Sequence, residues 1–189
     1  MAQHTSSKMV DEVVAAAVAP AASAVSVTEV ARDTMSEALS FCAQKLNLGH
    51  SAQAALGRVL EGDGIASRYW QCGLAKRVAE HLAGWDESVK AVYTTDYDAT
   101  PEDIVFSTRA QSSPIHLIVW TDRKTAALDS LVAALDGALV KRYAELTGLK
   151  HLAHLLDVQV VDDADVEART GYGAVLTSLY NRPIQVWAR

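Results

Sequence analysis

Ile115 to Trp120 is an almost continuously apolar run, and that is the feature that most constrains this chain. A short uninterrupted apolar segment of β-branched and large aliphatic residues suits a strand covered on both faces, so it is expected at the centre of a sheet. The clearest helix follows it. From Thr125 to Thr147 one face carries Leu128, Leu131, Val132, Leu135, Leu139, Tyr143 and Leu146, and Gly148 stands at the end. Leu155 to Val161 is a second buried strand, with a short helical segment around Asp165 after it. A glycine turn at Gly171-Tyr172-Gly173, a helix to Tyr180 and a last strand from Pro183 to Trp187 complete the chain.

Upstream the pattern is helical. Ser26 and Glu29 have capping-box spacing, and Val30, Ala31, Thr34, Ala38, Phe41, Cys42 and Leu46 form an apolar stripe up to Asn47-Leu48-Gly49. Ser51 caps a second helix that Gly62-Asp63-Gly64 stops, and a third runs from Ile65 to Leu82 with Gly84 as its exit. From Ser88 the period changes to two: Val89, Ala91 and Tyr93 alternate with Lys90, Val92 and Thr94. Ile104-Val105-Phe106 reads as a further short strand beyond a polar loop. This order gives an α/β (α+β) chain, a mixed sheet with flanking helices behind an N-terminal helical segment. Residues 1–25 form an Ala/Val-rich arm or linker, 26–64 a helical extension, and 65–189 the α/β domain.

At 189 residues, half of them hydrophobic, the chain is long enough for one core and short for two. The net charge of −6 comes without any cluster of Lys and Arg, which argues against nucleic acid as a partner. Val13 to Val25 contains an Ala22-Ser23-Ala24 site, but Asp11 and Glu12 stand where a secretory signal is basic, and Pro20 breaks the run. A cytoplasmic protein without a membrane span is expected. Cys42 and Cys72 have no paired spacing and read as two buried, reduced thiols.

Val89 to Tyr93, Ser113 to Val119, the long helix, Leu156 to Val161 and the ending Leu176 to Trp187 resemble the small nucleotidyltransferases of the polymerase-beta-like superfamily, over Ile65 to Arg189. The resemblance implies a Gly-Ser pair after the first strand to hold the triphosphate. It also implies two carboxylates at alternate positions of the next strand, with a third one strand later, to bind metal. Alternation matters because positions i and i+2 of a strand project from the same face. Here Asp96 and Tyr97 stand at the Gly-Ser positions, Pro114 and His116 replace the paired acids, and Asp157 alone matches the third. An acid in place of the glycine repels phosphate. The nucleotidyltransferase signature is therefore degenerate, and the expectation is a noncatalytic protein-binding or assembly module that needs no cofactor and takes a protein partner or a second copy.

The alternative is a transferase using a nucleotide or nucleotide sugar with a divalent metal such as Mg, or a nucleotide-sensing domain. Asp96-Tyr97-Asp98 resembles the metal-binding acid pair of nucleotide-sugar glycosyltransferases, although acids in a polar loop are commonly solvated turn formers. Pro101 rules out a calcium loop, because the turn there needs Gly. His151, His154 and Asp157 are a second candidate set, in which the imidazoles share a helical face and meet the carboxylate at the strand entry; a helix-end cation or loop residue is the plainer reading. His116 reads as a satisfied core histidine or a ligand. Arg169, Gly171 and Gly173 make an anion-binding turn or a simple tight connection. Ser112 and Ser113 lack a nucleophile-elbow pattern. Trp70, Trp85, Trp120 and Trp187 read as core or sheet-edge packing, and if Trp187 is exposed with Pro183 and Ile184 that edge is open to protein contact.

Overall fold

The computed structural model describes residues 26–95, 114–149, 152–180 and 182–189. Among the described residues ten elements follow in order: α1 (Val27–Lys45), α2 (Ala52–Leu60), α3 (Gly64–Trp85), β1 (Val89–Thr94), β2 (Ile115–Thr121), α4 (Ala126–Thr147), β3 (Leu156–Asp162), α5 (Asp163–Ala168), α6 (Gly171–Leu176) and β4 (Ile184–Ala188). The protein is α/β, with a four-stranded mixed sheet, flanking helices and an N-terminal helical segment.

Local chemistry sets most helix ends. The Ser26 side chain accepts from the Glu29 amide while the Glu29 carboxylate accepts from the Ser26 amide, a reciprocal box that satisfies two donors at the α1 start. Ser51 caps α2. The Asp63 carboxylate caps α3 through the Ile65 and Ala66 amides and is also paired with Arg58. Thr125 caps α4, and Gly148 ends it in the left-handed conformation with φ 75°.

The sheet order is β3-β2-β1-β4, which makes β2 and β1 central. β2 pairs antiparallel with β1 and parallel with β3, and β4 pairs antiparallel with β1. Opposite Val119 and Leu117 stand Val92 and Thr94, so these four share one face. With Val89, Ile115 and Leu156 the apolar members of this face join a single core built with α1, α3 and α4, to which Met35, Leu74, Leu82, Leu135, Leu139 and Tyr143 contribute. A bulge between Val89 and Ala91 breaks the simple alternation expected in β1, so Val89, Val92 and Thr94 are buried while Lys90 and Tyr93 stay half-buried.

α1 and α3 run antiparallel in contact. Glu37 pairs with Arg77 at 2.7 Å, and the Cys42 thiol donates to the Ala66 carbonyl at 3.2 Å. Gly73 lets the backbones approach: a Cβ there would lie 3.0 Å from the Ala38 Cα. Both cysteines are free; Cys42 is buried and Cys72 half-buried, and burial pushes the Cys42 thiol above its ordinary value.

Three expectations need correction. α3 continues through Gly84 to Trp85, because its end is set by Asp86, whose amide still bonds to the Leu82 carbonyl. The helix expected to reach Tyr180 stops at Leu176, where Thr177 turns its hydroxyl onto the Gly173 and Ala174 carbonyls. β3 is buried only at Leu156 and Val161, and among the described residues it has a neighbour, β2, on one side only. Ile104-Val105-Phe106 falls outside the described residues.

Candidate functional site

The parallel register of β2 and β3 sets His116 directly opposite Asp157. Both lie on the sheet face away from the main core, 47% and 37% exposed at their side chains. Nδ1 of His116 is 2.8 Å from Oδ2 of Asp157, and Gln159 Nε2, two residues along the same face, donates to Oδ1 at 2.9 Å. A carboxylate only accepts, so the contact fixes a proton on Nδ1. Both oxygens of Asp157 are thus engaged by protein donors. Two of the positions that the nucleotidyltransferase resemblance singled out, His116 and Asp157, are adjacent, but as a histidine–carboxylate pair; His116 is satisfied without being a core residue.

His154 turns elsewhere. It lies in the irregular stretch before β3, not on a helix, and its Nδ1 is 2.7 Å from Oδ2 of Asp136 on α4. Asp136 is 7% exposed. Its Oδ1 accepts the Leu155 and Leu156 amides, both at 2.9 Å, so this one carboxylate ties the entry of β3 to the middle of α4. Sequence patterning missed Asp136, although an acid next to Leu135 in the apolar stripe of α4 was the available signal. His154 and Asp157 therefore engage different partners, His154 the Asp136 carboxylate and Asp157 the His116 imidazole and the Gln159 amide. His151, Asp96 and Asp98 lie outside the described residues. Among the described residues no group of three or more His, Cys, Asp or Glu side chains converges as a metal would require.

A second polar cluster closes the other end of the sheet. Lys90 lies between Asp122 (2.8 Å) and Asp163 (2.6 Å), and its ammonium is 5.6 Å from the centre of the Trp120 ring. Trp120 Nε1 donates to Asp163 at 2.8 Å, and Lys124 pairs with Asp165 at 2.6 Å. These contacts pin α5 to β1 and β2. Donating hydrogen bonds to Asp122 and Asp163 holds the Lys90 ammonium above its usual range, and accepting one from Lys90 holds Asp163 below the usual carboxylate range. Asp165 is lowered likewise, first by Lys124.

Arg169 and Gly171 both take left-handed φ, 53° and 50°, at the junction of α5 and α6. Gly173 is buried with the Asp165 carbonyl directly against it, which leaves no room for a side chain. This close crossing of two six-residue helices is what the glycine serves.

The far edge of the sheet has a different character. Only β1 pairs with β4 among the described residues. Just before β4, Leu179 is 76% and Tyr180 95% exposed, and Ile184 on the strand is 44% exposed. Trp187 and Val186 pack inward on the core, and Arg189 bonds the Ala83 and Glu87 carbonyls at the end of α3. The exposed apolar side chains at this edge are therefore Leu179, Tyr180 and Ile184, not Trp187.

The chain matches no family model, no curated protein and no solved structure. Among the described residues no helix is long and apolar enough to cross a membrane.

Proposed function

We propose that this chain is a noncatalytic protein-binding or assembly module, with its contact surface at the β4 edge, on an α/β body that resembles a nucleotidyltransferase without its catalytic signature. The observation that carries the reading is the run of exposed apolar side chains, Leu179, Tyr180 and Ile184, on and just before a strand that pairs only with β1 among the described residues. Large apolar residues contiguous with open backbone hydrogen-bonding groups are stable in water only at a cost, and association removes it. The noncatalytic part is supported by Asp157, whose two oxygens are engaged by His116 and Gln159.

Sedimentation velocity over a wide concentration range tests the surface. The chain is expected to associate with itself, and Tyr180→Asp and Ile184→Asp are each expected to weaken that association at unchanged thermal midpoint. A strictly monomeric chain, or association indifferent to both substitutions, overturns self-assembly through this edge. A thermal-shift screen against nucleotides and nucleotide sugars with Mg, Mn or Zn tests the noncatalytic part. A metal-dependent rise with one nucleotide class, together with turnover, would replace it with an enzyme.

A further inference from the structure

Ser67 and Trp70 lie three residues apart on α3 and are 1% and 4% exposed. That spacing sets two side chains side by side on one helix face, with Cβ atoms about 5–6 Å apart. Ser67 Oγ and Trp70 Nε1 are enclosed and have no hydrogen-bond partner among the described residues. A polar group that gives up solvent on folding without gaining a partner costs free energy, which is why such groups are nearly always bonded in folded proteins. Two of them on one face of one helix point to a shared third member.

The surroundings define its chemistry. The Trp70 ring stacks on Tyr143 of α4, with centroids 5.4 Å apart, and Leu74, one turn further along the same face of α3, is fully buried. On the facing α1 the Cys42 thiol donates to the Ala66 carbonyl, one residue before Ser67, at 3.2 Å. Burial raises that thiol above its ordinary value, so it stays neutral. A hydroxyl, an indole, a neutral thiol and apolar side chains offer no charge to balance an ion. The indole N–H only donates, so the third member must accept there, while the hydroxyl can donate or accept. Water is the small neutral molecule that meets both demands.

We infer that Ser67 Oγ and Trp70 Nε1 share one internally bound water in the core between α1, α3 and α4. The water accepts from the Trp70 indole and bonds the Ser67 hydroxyl, and because both bonds are directional it holds the indole in the orientation that stacks on Tyr143. The site is separate from the β4 edge and does not rest on the reading of that edge as a contact surface.

A high-resolution crystal structure of the full chain tests the site directly, with solvent density expected within about 2.7–3.2 Å of both atoms. Urea denaturation tests it independently. Ser67→Ala removes one anchor of the water and is expected to lower the urea midpoint. Trp70→Phe keeps an aromatic ring against Tyr143 but takes away the N–H, and in that background Ser67→Ala is expected to lower the midpoint by less, because the shared water is already lost. Should Trp70→Phe fail to fold, the density and the Ser67→Ala midpoint decide between them. Density at neither atom, or at one of them alone, overturns the shared site. So does a Ser67→Ala midpoint equal to or above that of the unaltered chain, which is the mark of a hydroxyl buried without a partner.

Discussion

His116 and Asp157 face each other across the parallel β2–β3 pair with Nδ1 and Oδ2 2.8 Å apart, and the second carboxylate oxygen is held by Gln159. The pair is more than a third exposed, so water screens it and supplies substitutes for lost hydrogen bonds. Asp157→Ala is expected to cost no more than about 1 kcal/mol in chemical denaturation. A metal-dependent thermal shift in the unaltered chain that disappears in Asp157→Ala would show that the carboxylate leaves its partners to bind an ion.

Asp136 predicts the opposite scale of effect from the same residue type. Its carboxylate is the acceptor for two buried backbone amides as well as for His154. Asp136→Ala strands both amides, and an unpaired buried donor costs about 1–3 kcal/mol, so a loss of about 2–6 kcal/mol is expected. His154→Ala leaves the amide bonds intact and is expected to cost less than about 1 kcal/mol. Urea denaturation of the two variants checks the order, and equal losses would contradict it.

Gly173 is the tightest crossing described. Its α carbon lies against the Asp165 backbone, so a methyl group forces α5 and α6 apart. Gly173→Ala is expected to destabilise by about 1–3 kcal/mol, as overpacking does. Because α5 carries Asp163, the loss should appear with faster exchange at residues 163–176. An unchanged midpoint would mean the two helices separate freely.

Acid should weaken the fold through three aspartates. The Asp63 carboxyl is held below its ordinary value first by the Ala66 amide, with Arg58 adding to it; Asp163 is lowered first by Lys90 and Asp165 first by Lys124. A carboxylate lowered in the folded state binds its proton more readily once unfolded. Its contribution is complete above the ordinary aspartate range of about 4 and fades as pH falls through the lower folded value. Asp63→Asn and Asp163→Asn are each expected to flatten the decline of stability below about pH 4. A decline of the same steepness in both would assign it to other groups.

Much of the helical framework was legible because its signals are local. The Ser26–Glu29 box, the Ser51 cap and Gly148 act within one turn of chain, and apolar periodicity marks the face each helix buries. The apolar run at 115–120 likewise announced a central strand, as β2 is. The nucleotidyltransferase reading selected His116 and Asp157, and the fold brings them together. It did not foresee their bond to each other, which depends on strand register.

The sequence by itself determined the α/β class, the order of the described elements and the start of each long helix, because hydrogen bonds across three or four residues and side-chain periodicity are written in neighbouring positions. Only the tertiary structure decided that β3 is an edge among the described residues, that His154 belongs to Asp136, that Lys90 joins Asp122 to Asp163, and that β1 bulges. Those outcomes depend on contacts between residues far apart in the chain. A one-residue change of register turns each side chain of a strand to the opposite face, so the partners of a polar residue are fixed only when the strands are aligned.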